Sequence, residues 1–347
     1  LADNGSEDDF IQEMILAIDP GQEPIRIDKF LSDRIGRISR NRIQQAIRAE
    51  AVRVDQLPVK PNYRVKPGNV VSAILPVWNT EDSSGPPKAQ AMDLDVVYED
   101  DDLLIVNKQA GLVVHPGVGN WEGTLVNGLA HYLGVDDSYL QDDPLRQRLG
   151  LVHRIDKDTS GLLVVAKNDF ALSFLARQFS EHTIERCYYA IVWGVPNPPN
   201  GKIEAHIGRS PRDRKAFTIF PEGEEGKWAL THYEMLEDLY YVSLVKCRLE
   251  TGRTHQIRVH FQSIGHPLFN DEKYGGSRIV KGTPFSRYRD FVQRSFVTIP
   301  RQALHAKTLG FIHPSTRQFI RFESNLPADF EAALLQWRQY FAARQQN

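Results

Sequence analysis

Cysteine is nearly absent from this chain: Cys187 and Cys247 are the only two in 347 residues, and both sit inside apolar-rich runs. Two core thiols build neither a disulfide framework nor a four-ligand zinc site, and their scarcity fits a reducing compartment, so a cytoplasmic location is expected. The 11 histidines include no pair at a recognised zinc spacing. His255, His260 and His266 do not form an i, i+4 helical pair either, and no metal site is expected. Long hydrophobic runs are missing too. No stretch approaches the ~20 apolar residues of a membrane helix, and none reads as a secretory segment. Nor is there a net excess of positive charge. The formal value is −2, which over the whole chain argues against a nucleic-acid partner.

The distribution of charge says otherwise. Residues 1–24 carry seven acidic side chains and no Lys or Arg, whereas residues 25–77 carry eleven basic side chains against four acidic. Phosphate binding is local and screened over about 8 Å in physiological salt, so the basic module counts for more than the average. The first 24 residues read as a mostly solvated acidic tail with one apolar stretch, Met14 to Ile18. Ile27, Phe30, Leu31 and Ile35 then fall at helical spacing before Gly36. A second helix is expected from the cap Ser39, with Ile43, Ala46 and Ile47 on one face. Short strands follow at 52–54, 65–66 and 70–75. Arg37, Arg40, Arg42, Arg48, Arg53 and Lys60 cluster near the second helix, as either a phosphate-facing surface or a solvated charged face. Residues 78–92 contain Ser83-Ser84-Gly85-Pro86-Pro87 and read as a flexible linker to a second domain over 93–347.

That second domain is organised around Gly150-Leu151-Val152-His153-Arg154-Ile155-Asp156-Lys157-Asp158-Thr159-Ser160-Gly161 and the apolar run Leu162 to Ala166. Charge lies between two short buried strands. Two readings are open: a connecting loop, in which Asp and Ser/Thr side chains bond their own backbone, or a reactive site. Around it the pattern gives a hairpin at 94–98 and 103–108, helices at about 124–133 and from a cap at Asp169 to about 182, and a strand from Ile184 to Trp193. Strands resume at 229–236 and 240–249. Thr254 is the expected cap of a further helix whose Ile257, Phe261 and Ile264 face the core. A partly helical stretch over 276–300 and a C-terminal helix over 331–342 complete it.

His153-Arg154-Ile155-Asp156 with Asp158-Thr159-Ser160-Gly161-Leu162-Leu163 resembles the HRLDxxTSGLL signature of the RluA-type pseudouridine synthases. Asn107-Lys108 to His115-Pro116, Arg186-Cys187-Tyr188 to Gly194, Thr251-Gly252-Arg253-Thr254-His255-Gln256-Ile257-Arg258 and Arg301-Gln302-Ala303-Leu304-His305-Ala306 resemble further motifs of that family, in order. Residues 25–77 resemble an S4 RNA-binding domain in Arg26 to Leu31, Ser39 to Gln44 and Val59 to Tyr63, which tips the basic cluster towards RNA. Departures fall at Asn270, where the family commonly has Gly before Asp, and at Arg317, where HPxTG is usual.

The resemblance implies an α+β fold: an S4 module, a linker, and a mixed, largely antiparallel sheet flanked by helices with a cleft across its middle. It implies a monomeric enzyme needing no cofactor that isomerises uridine in RNA, large-subunit ribosomal RNA first and transfer RNA second. Asp156 becomes the catalytic carboxylate, Tyr188 the active-site tyrosine and Arg258 the partner of Asp156. Arg154 and His153 fall in the motif that meets the target uridine, and Leu304 is either the floor of the uracil pocket or a core leucine. Breaking N1–C1′ and rejoining through C5 involves no redox step and requires an ionised carboxylate, which a neighbouring Arg favours by about 1–3 pKa units. Attack on C1′, attack on the ring and abstraction of a ribose proton are all compatible with the sequence. A nucleoside hydrolase, with Asp158 as second carboxylate, and a non-catalytic S4-type RNA-binding protein are the competing readings.

Overall fold

The computed structural model describes residues 10–36, 38–76, 86–117, 119–135, 148–213, 215–222 and 224–345. Its N-terminal module runs β1 (Ile11–Ala17), β2 (Ile25–Arg26), α1 (Ile27–Ile35), α2 (Arg40–Arg48), β3 (Val52–Val54), β4 (Leu57–Pro58), β5 (Arg64–Val65) and β6 (Val70–Pro76). Phe30, Leu31, Ile43 and Ile47 pack under the antiparallel sheet β1-β6-β3-β4 against Val52, Val54 and Val71. Helix α1 ends at Gly36, which takes φ +63, and Ser39 caps α2 by accepting from the Arg42 N–H.

The acidic segment is not a tail throughout. Residues 11–17 pair with β6 along seven consecutive positions, because a strand edge accepts backbone whatever the side-chain charge. Phe10 is buried in the core of the second module, with the Arg148 guanidinium 4.0 Å from its ring centroid. The expected linker also departs from expectation where it is described. Lys88 O accepts from Asn127 Nδ2 at 2.8 Å, and the Gln90 side chain accepts from Gly123 N–H at 2.7 Å, so 88–90 are fastened to the second module. Residues 77–85 lie outside the described residues.

The second module contains β7 (Val96–Glu99), β8 (Leu103–Lys108), α3 (Leu125–Tyr132), β9 (Ser160–Ala166), α4 (Asp169–Ser180), β10 (Glu185–Trp193), β11 (Asn200–Arg209), β12 (Phe217–Phe220), β13 (Lys227–Asp238), β14 (Val242–Leu249), α5 (Gln256–Ser263), α6 (Ser286–Thr298), β15 (Leu304–Ile312), β16 (Phe319–Glu323) and α7 (Ala328–Gln345). Ten strands form one sheet in the order β12-β11-β13-β14-β10-β15-β9-β8-β7, with β16 on the far half of β15. All pairings are antiparallel except β9 with β15, which meet through Ser160–His305 and Gly161–Ala306. This is the expected mixed, largely antiparallel sheet. Asn168 caps α4 in place of Asp169. Ile264, expected in the core, is 39% exposed because α5 stops at Ser263.

Helix α4 also carries the S4 module. Arg42 pairs with Asp169 at 3.1 Å, Arg53 with Glu181 at 2.6 Å and Arg177 with Glu50 at 2.8 Å. Arg42 and Arg53, expected to face RNA, are therefore engaged by carboxylates of the second module. Arg317, at φ +59 where a glycine is the easier residue, lies 4.4 Å over the Phe174 ring on the same helix.

The backbone around Gly161 tolerates nothing larger. It sits at φ +115, and a Cβ there would stand 2.2 Å from the Ala306 carbonyl oxygen. Gly161→Ala should therefore destabilise the second module by about 3 kcal/mol or more, combining strain and overpacking. The midpoint of urea unfolding measures this, and an unchanged midpoint would show that β9 and β15 can separate freely.

Candidate active site

The segment from Gly150 to Gly161 is braced at both ends by backbone. Gly150, at φ +78, would place a Cβ 1.8 Å from the Ala166 carbonyl oxygen, as Gly161 does against Ala306. From beneath, the buried Lys108 ammonium donates to the carbonyls of Gln109, Leu112 and Lys157 at 2.8–3.0 Å. Burial brings its pKa down to about 7, with the charges of Asp156 and Asp158 opposing. Arg301 donates to Asp158 O at 3.0 Å and Leu304 O at 3.1 Å, and is itself held by Asp329. The turn carrying Asp156 is thus fixed at its neighbours' carbonyls, leaving the carboxylate to project.

Asp156 Oδ2 accepts from Arg258 Nη1 at 2.9 Å. Arg258 comes from α5, and its other two donors, Nε and Nη2, form a fork on Asp271 at 2.7 and 2.9 Å. Asp271 is fully buried, whereas the Asp156 side chain keeps one-fifth of its exposure. Burial alone would raise the pKa of Asp156. The positive charges around it, on His255 when protonated, on Arg258 and on Arg154, outweigh that and bring it to about 2. His255 is itself pushed down to about 4, chiefly by burial, so at neutral pH it is uncharged and Arg258 does the holding. A carboxyl lowered in this way contributes stability above its ordinary pKa of 3.8 that is lost as pH falls towards 2. Burial pulls the Arg258 pKa down, but the two carboxylates more than restore it.

The cleft over Asp156 is lined by Arg154, Tyr188, Leu249, Arg253, His255 and Leu304 among others, and holds about 60 Å³. Tyr188 on β10 and Leu304 on β15 form its apolar side, 8% and 5% exposed. Burial pushes the Tyr188 hydroxyl up to about 12, so it is protonated at neutral pH. Tyr189, one residue on, faces away and packs beside the core of Trp193 and Phe269, as strand alternation requires. Arg154 is exposed at the rim. A larger cavity of about 1110 Å³ lies behind β7 and β8; it includes Lys108 and Arg301 but not Asp156.

Four expected site residues, Asp156, Tyr188, Arg258 and Leu304, thus meet in one cleft with Arg154 at its edge. His153 does not join them. It is 2% exposed, accepts from the Val164 N–H through Nε2 at 3.1 Å and stacks on Phe179, so it holds the loop to the sheet. Thr254 is not the cap of α5. That position falls to His255, at φ +58, while Gln256 Oε1 accepts from the Arg253 N–H. In the S4 module Arg40 is half exposed while bound to the buried Asp28 at 3.0 Å. Arg48 and Lys60 are exposed, and Arg37 lies outside the described residues.

Asp271, Lys108 and Arg301 were not assigned to the site from sequence. The signal for Asp271 is its neighbour. Asn270 takes φ +58, a backbone that suits Gly or Asn, and its side chain donates to Phe296 O and Ile299 O. The departure from Gly-Asp therefore preserves the turn that aims Asp271. Removing that buried charge leaves Arg258 undercompensated. Asp271→Asn should cost about 3 kcal/mol, read as a lower urea midpoint, and a loss under about 0.5 kcal/mol would place the clamp's energy elsewhere.

Comparison with known proteins gives the family. Residues 102–263 match the profile of the RNA pseudouridylate synthases, and residues 25–71 that of the S4 domain. An RNA pseudouridine synthase of Chlorobaculum parvum is 44% identical over 337 residues, covering 96% of this chain and 100% of that one. The ribosomal large subunit pseudouridine synthase D of Zymomonas mobilis is 41% identical over 308 residues, 88% of this chain and 92% of its own. Human RNA pseudouridylate synthase domain containing 1 matches in structure with a TM-score of 0.51 at 27% identity, over 72% of this chain and 95% of that one. With relatives this similar matched along nearly their whole length, the chain belongs to the RNA pseudouridine synthase family and carries an S4 domain at its N-terminus.

Proposed function

We propose that this enzyme isomerises uridine in large-subunit ribosomal RNA and that Asp156 is its catalytic carboxylate. The Asp156–Arg258 bond of 2.9 Å inside a cleft walled by Tyr188 carries the reading of the site. The ribosomal substrate rests on the relative from Zymomonas mobilis, whose name states it. The reaction breaks N1–C1′, turns the uracil and joins C5 to C1′, so a proton leaves C5 and N1 gains one. A carboxylate brought down to about 2 is ionised at neutral pH and ready to act as nucleophile or base.

Arg154 is the exposed rim side chain and takes the role of filling the gap that the extruded base leaves in its stack. Tyr188 then stacks on the flipped base over Leu304, offsetting the few kcal/mol that unstacking costs. On the S4 module, Arg48 and Lys60 remain exposed and hold phosphates, while the exposed Arg40 already shares its guanidinium with Asp28. The enzyme works as a monomer in the cytoplasm on this reading, which the two buried, unpaired cysteines suit.

Purified protein with a large-subunit ribosomal RNA transcript, mapped for pseudouridine by carbodiimide, tests the reading. Asp156→Asn and Asp156→Ala should abolish isomerisation while RNA affinity stays within about twofold, because the carboxylate contributes to chemistry rather than to phosphate contacts. Pseudouridine formed by either variant would remove Asp156 from the chemistry. Activity on transfer RNA alone would overturn the substrate.

A further inference from the structure

His255 occupies a strained position for no capping purpose. It stands at φ +58 before α5, and its side chain makes no capping bond to that helix. The ring is held instead by its surroundings. Nδ1 lies 2.7 Å from the Tyr274 hydroxyl, the Phe217 ring meets it edge-on at 5.6 Å, and Nε2 faces Asp156 Oδ1 at 3.9 Å. The Tyr274 hydroxyl already accepts the Phe217 backbone N–H at 3.0 Å. Among the described residues, Nδ1 is the acceptor in place for that hydroxyl's own proton. The single proton of the neutral imidazole therefore sits on Nε2, pointing at Asp156.

The two oxygens of Asp156 are then treated differently. Oδ2 is bound by a guanidinium; Oδ1 faces a neutral N–H just beyond hydrogen-bond length. We propose that His255 is a positioning residue for Asp156, locked by Tyr274 in the Nε2–H tautomer so that a neutral donor orients the oxygen Arg258 leaves free. This rests on the reading of Asp156 as the catalytic carboxylate. A second cation at that place would hold Oδ1 tightly, because charge-assisted bonds are about twice as strong as neutral ones. A neutral donor sets direction and leaves the oxygen available to react. The contact needs to shorten by less than about 1 Å to become a bond, as catalytic contacts commonly do when substrate closes the site. The Phe217 N–H on Tyr274 couples this arrangement to β12.

The test is nitrogen NMR of the full-length protein labelled in its imidazoles, with the His255 signals assigned by their loss in His255→Gln. The wild type should show the Nε2–H tautomer, and Tyr274→Phe should shift it towards a mixture. On the ribosomal transcript, Tyr274→Phe should lower kcat roughly tenfold with KM unchanged, the effect of one lost orienting hydrogen bond. His255→Ala should lose at least as much, and His255→Gln, which keeps a donor, should recover most of it. An Nδ1–H tautomer in the wild type overturns the proposal. So do wild-type kcat values in Tyr274→Phe and His255→Ala, or equal losses in the Gln and Ala variants. Asp156→Asn separates the two readings: if it is inactive while these variants behave normally, only the positioning role fails. If it stays active, the catalytic assignment fails first, whatever the tautomer.

Discussion

Everything at the cleft depends on one guanidinium held between two carboxylates. Arg258 spends its fork on Asp271, which is fully buried, and offers its remaining Nη1 to Asp156, which is not. A lone arginine reaching for Asp156 would lose side-chain freedom with every contact and wander between them. Pinned by Asp271, it presents a charge already in place. Asp271 is in turn fixed by the Tyr274 N–H and by the left-handed turn at Asn270. A buried pair of this kind contributes little net stability by itself. Its effect is orientation, and an ionised Asp156 at neutral pH follows from it.

The backbone supplies the other half. The loop bearing Asp156 enters and leaves where a Cβ would strike a carbonyl, at Gly150 and Gly161, and Lys108 and Arg301 hold its intervening carbonyls. These contacts define where the carboxylate stands before substrate arrives, which is the form preorganisation takes here. The S4 module is set against the same body through α4, by three ion pairs that use Arg42 and Arg53. These pairs are partly buried, with the Arg42 and Arg177 side chains about one-tenth exposed, so salt screens them less than fully exposed pairs. The basic face left for RNA is correspondingly narrower than a count of arginines suggests.

Much of this was legible in the sequence, for definite reasons. Helices α1 to α4 carry apolar periodicity, with Ser39 legible as the cap of α2 and the cap of α4 falling one residue earlier than expected, at Asn168, and the motif blocks at 153–163, 186–194, 251–258 and 301–306 bring Asp156, Tyr188, Arg258 and Leu304 into one cleft. What stayed hidden was set by tertiary contacts. Nothing local marks residues 11–17 as a strand, since β6, their partner, lies more than fifty residues away. Lys108 stands in a recognised motif, yet its three bonds are to backbone carbonyls that no side-chain pattern reveals. His153 was expected at the substrate from its place in the motif; burial against Phe179 makes it structural. Asn270 and Arg317, both departures from the family pattern, fall at φ +58 and +59, so each spot suits glycine and each substitute gains a contact that offsets the strain.

The most direct measurement is a carbon NMR titration of the Asp156 carboxyl in the intact protein, assigned by its loss in the asparagine variant. The account predicts that Asp156 remains ionised as pH falls through its ordinary value of 3.8, with a midpoint near 2. A midpoint at or above 3.8 would show that burial outweighs the positive charges of His255, Arg258 and Arg154 together and would contradict the proposal that this carboxylate is held ionised for reaction.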